Sequence, residues 1–183
     1  SDILSDWPYD PESPAVRIIR GDDGREHVQL RVDLGILQMT MEGRPDGLRP
    51  EGCESWFHFY QQQQEAHDAA HPDSAPFRLD AQACQRLWSE AIQYYHRYIS
   101  LWHLKRYELC SRDTRRNLEL FAFVREHGPN DRAKLQFDQW RPYVLLMHAR
   151  STATPLLEND RASEALPVVE SAIDDILDFL DHY

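Results

Sequence analysis

The chain has 183 residues, 42% of them hydrophobic and 28% charged, with a formal net charge of −11. That length supports one buried core with at most a small appendage. The acidity argues against a general binder of nucleic acid or anionic membrane, which needs an excess of Lys and Arg over phosphate, and no run approaches the roughly 18 apolar residues of a transmembrane helix.

Residues 1–14 are acidic and carry Pro8, Pro11 and Pro14, which predicts an extended leader wrapping along the body through Trp7 and Tyr9. The leader has no basic and apolar signal-peptide pattern. Val16 and Ile18 precede Gly21-Asp22-Asp23-Gly24, a polar, glycine-bearing turn of the kind that closes hairpins. Val28, Leu30, Val32 and Leu34 then alternate with polar residues, the period of a half-buried strand. The parity changes to Leu37, Met39 and Met41, which predicts a β-bulge or corner at Gly35-Ile36. A tight turn at residues 43–47, Gly-Arg-Pro-Asp-Gly, ends the run. A hairpin or three-stranded meander of this size is unstable alone, so its apolar face must lie on helices. Residues 1–50 are therefore read as a leader and meander without independent stability, and residues 51–183 as the helical body.

The first helix, over residues 52–71, ends before Pro72 because proline disfavours helical backbone in the residue preceding it. Residues 72–79 read as a lid or linker. Asp80 is the expected N-cap of a helix reaching Leu104, whose apolar residues cover more than one stripe, as in a central helix buried on two sides. A helix over 107–126 follows and is broken by Gly128-Pro129. Residues 131–157 form the next helical pattern, bent at Pro142, and the last runs from Ala162 with no stop signal at Tyr183, leaving it open to continue. The expected class is α+β, mainly α: a β-meander packed on five helices.

Charge is uneven along this body. Residues 97–116 hold six basic side chains against two acids, whereas residues 158–183 hold eight acids against Arg161. Both segments read first as solvated helix faces, and second as surfaces for each other or for a partner. Ala153, Ala165 and Ala172, spaced by 12 and 7 residues across a polar break, supply small residues where the two helices of a hairpin cross closely. With Leu166 and Val169 beside them they resemble the tetratricopeptide repeat, a helix-turn-helix unit of interaction scaffolds. A shift of 55 residues lands on Tyr98, Cys110 and Asn117, a degenerate first unit. Two units fall short of a solenoid, so the strands and first helix would act as a cap.

At whole-chain level, Trp7-Pro8-Tyr9, V-Q-L-R-V-D-L-G-I-L-Q-M at 28–39, G-R-P-D-G at 43–47 and R-P-Y-V-L-L-M-H-A-R at 141–150 resemble a family of uncharacterised bacterial proteins labelled "UvrB/UvrC motif-containing". That resemblance implies no activity. The short helical hairpin after which the family is labelled is not visible, and would lie after Tyr183. In tetratricopeptide repeats the first helix of each unit lines the groove. The resemblance thus implicates Met147, Arg150 and Thr154 in one unit and Ile92, Tyr95 and Trp102 in the other, helped by Arg97 and the basic segment it begins. Arg150 is the sharpest candidate, since a planar guanidinium beside aromatic rings suits an acidic or C-terminal carboxylate ligand. Its competing expectation is a salt bridge to Asp174 or Asp175.

For chemistry, His67 and His71 stand one helical turn apart, a spacing that can hold a metal, with Glu65, His58 or Cys84 as conceivable third ligands. Asp68 stands where a zinc peptidase needs Glu, and the pair reads as exposed histidines near a helix end. Cys53, Cys84 and Cys110, odd in number and widely spaced, read as reduced core thiols of a cytoplasmic protein. No P-loop, dinucleotide glycine signature, G-x-S-x-G or EF-hand loop occurs. The expected function is a non-enzymatic module that recognises a peptide or protein surface, with no cofactor or metal and no nucleic-acid or membrane partner. The alternatives are an enzyme using the His67/His71 helix, and a homodimerising scaffold for a domain beyond residue 183.

Overall fold

The computed structural model describes residue 4, residues 6–71 and residues 75–182. Three antiparallel strands in the order β1-β2-β3 form the N-terminal sheet: β1 (Val16–Arg20), β2 (Glu26–Val32) and β3 (Gly35–Thr40). The β1–β2 turn closes where Gly24 N–H donates to the Gly21 carbonyl at 2.9 Å, with Gly24 at φ 75. Val32 pairs with Gly35, so the chain reverses through Asp33 and Leu34 in two residues. The expected bulge or corner at Gly35-Ile36 is instead this hairpin turn. Reversal alone changes the parity, because it sets Val28 opposite Met39 and Leu30 opposite Leu37 on one face. Leu34, counted with the buried set in the sequence, is 90% exposed at the turn tip.

The leader lies on this sheet. Arg31 Nε donates to the Trp7 carbonyl at 2.9 Å, the Arg17 guanidinium sits 4.1 Å from the Trp7 ring centre, and Arg31 covers Tyr9. The opposite loop is wound about Thr40, whose hydroxyl donates to the carbonyls of Glu42 and Arg44 and whose N–H donates to that of Pro45.

The helices are α1 (Trp56–Ala70), α2 (Ala81–His103), α3 (Tyr107–His127), α4 (Asp131–Asp138), α5 (Arg141–Glu158) and α6 (Ala162–His182). Ser55, Asp80 and Asn130 cap α1, α2 and α4 by accepting from the N–H of His58, Ala83 and Asn130's third successor, Ala133, respectively. Pro72 and the start of the 72–79 connector lie outside the described residues, as does Tyr183. The helical pattern over 131–157 is two helices, not one bent helix. Pro142 would clash with the carbonyl of Asp138 inside a continuous helix, but in the first turn of α5 its missing N–H costs nothing.

One buried cluster joins α1 to α2, α3 and α4 through Phe57, Tyr60, Leu87, Leu120, Phe121, Val124 and Phe137. A second cluster seats the sheet on the C-terminal half of α2, with Val28, Leu30 and Met39 against Tyr98, Leu101, Cys110 and Met147. The architecture is therefore α+β, mainly α, with the meander packed on the helical body.

The hairpins α2–α3 and α5–α6 have matching turns. Lys105 (φ 55) and Asp160 (φ 58) are both left-handed, and each is followed by an N–H that reaches back five residues. Arg106 donates to Leu101 at 2.8 Å and Arg161 to Leu156 at 2.9 Å. This six-to-one bond around a left-handed residue is the Schellman closure, made without glycine. Its two copies stand at the 55-residue offset that relates Cys110 to Ala165, buried at 0% and 2% exposure.

Candidate functional site

The candidate groove between α2 and α5 takes residues spaced by three and seven positions on α2 and by seven and four on α5. Ile92, Tyr95 and Trp102 come from α2; Tyr143, Arg150 and Thr154 come from α5. The Tyr95 and Tyr143 rings lie 6.3 Å apart, and the Arg150 guanidinium covers Trp102 at 4.4 Å. The members of these contacts are seven residues apart on both helices, so α2 and α5 run in the same direction, and the contacts are spaced by about 10 Å. Tyr98 and Met147, 1% and 4% exposed, form the floor.

Beside Tyr95 and Tyr143 opens a recess of about 280 Å³, with Trp88, Ile92, Phe121 and Trp140 in its walls; Trp102, Arg150 and Thr154 do not line it. Tyr95 packs edge-on against Tyr98 at 5.6 Å, which fixes the lip of the recess. Burial raises the phenol of Tyr143, with Tyr95 adding to the effect and Arg150 opposing it. Burial pushes the Cys110 thiol behind the floor up to about 12, so it is an inert neutral thiol here.

At the other end, Arg150 is exposed and makes two contacts, the Trp102 face and a 3.9 Å approach of its Nη1 to the Met147 sulfur. Among the described residues no carboxylate pairs with it, and the expected competing bridge to Asp174 or Asp175 is not formed. A guanidinium over an indole face can still donate hydrogen bonds to a ligand. Thr154, half-buried, follows one turn further on.

Arg97 does not join this group. It is 1% exposed and forms a bidentate pair with Asp113 at 2.6 and 2.9 Å, and its Nη1 donates to the carbonyls of Thr40 at 3.0 Å and Gly43 at 2.8 Å. It thus ties the loop after β3 to α2 and α3. Glu90, also buried, accepts the N–H groups of Trp56 at 2.8 Å and Phe57 at 3.1 Å and pairs with Arg44 and Arg116. These two buried carboxylates were invisible in the sequence, because their partners lie far away along the chain.

The His67 and His71 rings stand 5.3 Å apart, with His67 against Phe77 and bonded through Nδ1 to Asp68. Among the described residues no group of three or more His, Cys, Asp or Glu side chains is placed to hold a metal ion. Cys53, Cys84 and Cys110 are free thiols, the last two buried. Among the described residues no helix is long and apolar enough to cross a membrane. No family model, curated protein or solved structure matches this chain.

Proposed function

We propose that the protein is an interaction module in which two tetratricopeptide-like hairpins, capped by the meander and α1, bind a peptide or protein segment in the groove between α2 and α5. The observation that carries this reading is Arg150, stacked on Trp102 with its donor edge unpaired by any described carboxylate. A buried or paired arginine would be explained by stability alone; this one is exposed, beside an aromatic ring. The ligand chemistry that fits is a carboxylate, acidic or C-terminal, about 10 Å from an apolar side chain that enters the recess beside Tyr95 and Tyr143. The three unpaired thiols support a cytoplasmic setting. The resemblance to "UvrB/UvrC motif-containing" proteins brings no activity, so the reading rests on the groove.

The test is an array of peptides ending in free or amidated carboxyl groups, with and without an aromatic residue three positions earlier. It is probed with the native chain and with Arg150→Glu. Retention of free-carboxyl peptides by the native chain, reduced at least about tenfold in the variant with circular dichroism unaltered, supports the proposal. Equal retention by both chains removes Arg150 from the site.

A further inference from the structure

A second concavity, of about 1010 Å³, opens between the β-meander's final loop and helices α2 and α3. Its lining holds seven arginines and no lysine, against the carboxylates of Glu26, Glu42, Glu54 and Asp113. With Asp46, which pairs with Arg44, and the buried Glu90, which pairs with Arg44 and Arg116, the seven arginines exceed the carboxylates by one, in a chain whose net charge is −11, which leaves −12 on the remainder.

The arginines fall into two sets. Arg44 and Arg116 are anchored on buried Glu90, while Arg97 and Arg112 are anchored on buried Asp113. Arg116 is also stacked on Tyr94 at 3.9 Å, and Arg112 donates to the Met41 carbonyl at 2.8 Å. These contacts fix the walls before any ligand arrives, so little side-chain freedom is left to lose on binding. The second set, Arg25, Arg49 and Arg106, is exposed at the rim on three separate segments. Among the described residues no salt bridge is formed by these three, although the Arg25 charge acts on Asp23, whose carboxylate accepts from the Arg25 N–H.

We infer that this cleft binds a compact polyanion carrying two or more phosphate or carboxylate groups. Guanidinium forks match the geometry of both oxyanions, and several around one concavity favour a ligand with several such groups. Size follows from charge. An extended polyanion such as a nucleic acid, or an anionic bilayer, would have to lie across the −12 remainder outside the cleft, whereas a compact one is held beside the arginines.

Titration calorimetry at 50 and 200 mM salt tests this with tripolyphosphate, citrate and a 20-nucleotide single strand. The proteins are the native chain, Arg49→Gln/Arg106→Gln, and Arg25→Gln as an independent rim variant. The expected result is saturable binding of tripolyphosphate, weaker at the higher salt, and weakened at least about tenfold in the double variant. Thermal midpoints without ligand should match, because the altered side chains are exposed. Citrate binding as tightly as tripolyphosphate assigns the site to carboxylates; citrate binding more weakly assigns it to phosphates. The proposal is overturned by the absence of saturable binding of either anion, by unaltered affinity in both variants, or by the oligonucleotide binding more tightly than tripolyphosphate.

Discussion

Arg97 and Asp113 each retain only 1% side-chain exposure, and such burial of two charges is tolerable because every strong polar atom is met. Asp113 receives the Nε and Nη2 of Arg97 and the Nε of Arg112; the Nη1 of Arg97 donates to the carbonyls of Thr40 and Gly43. Asp113→Ala leaves a buried cation facing two carbonyls, and urea unfolding should show a loss of about 3–5 kcal/mol. A smaller loss in Arg97→Met/Asp113→Leu would separate the cost of an orphaned charge from the worth of the pair. His148 acts through pH. Its Nδ1 lies 3.0 Å from the Thr114 hydroxyl, and burial, helped by Arg115, lowers its pKa below 6.5. The unfolded chain therefore takes up a proton first as pH falls, so stability is full above about 6.5 and is lost as pH falls through the folded value. The thermal midpoint should drop between pH 7 and pH 5, and His148→Asn should shrink that drop. His96, lowered by burial alone, leaves a remainder of the same sign.

The two hairpin turns offer a test at the scale of elements, since Lys105 and Asp160 hold left-handed backbone that glycine adopts without strain. Lys105→Gly and Asp160→Gly should each raise stability by about 0.5–1 kcal/mol in urea unfolding, net of the freedom glycine adds to the unfolded chain. A gain at one turn alone would mean that the two closures do not share their strain. The spacing of Ala153, Ala165 and Ala172 made the second of these hairpins legible, and Asp80 marked the start of α2. Other features could not be read locally. A parity change at Gly35 is produced equally by a bulge or by a reversal, and only the pairing of Val32 with Gly35 decides between them. Helical period and repeat offset singled out Ile92, Tyr95, Trp102, Met147, Arg150 and Thr154 as groove candidates, but not Trp140 or Tyr143. Those two lie in and just after the helix break at 139–140, beside which Asp138, buried, pairs with Arg125 and Arg141. The arginine-lined cleft was missed for the same reason, being assembled from segments that meet only in the folded chain.

For the whole molecule, the distribution of charge bears on assembly. Helix α6 carries Glu164, Glu170, Asp174, Asp175, Asp178 and Asp181 with no Lys or Arg, yet it exposes Leu166, Val169, Ile173, Leu177 and Leu180 at 39–62%. Steps of three and four residues keep these five on one stripe about 21 Å long, an apolar face suited to another helix. Two copies meeting through it would also bring two acidic helices together. At about 0.15 M salt the screening length is about 8 Å and the repulsion is felt across such an interface; at about 1 M it is about 3 Å and the repulsion is largely gone, while the apolar attraction remains. Sedimentation velocity should therefore show a 21.5 kDa monomer at the lower salt and a concentration-dependent dimer at the higher. Ile173→Lys, which puts a solvated charge in the centre of the stripe, should remove that dimer. A dimer already complete at the lower salt and insensitive to Ile173→Lys would place self-association on another face, and would leave the α6 stripe unused in it.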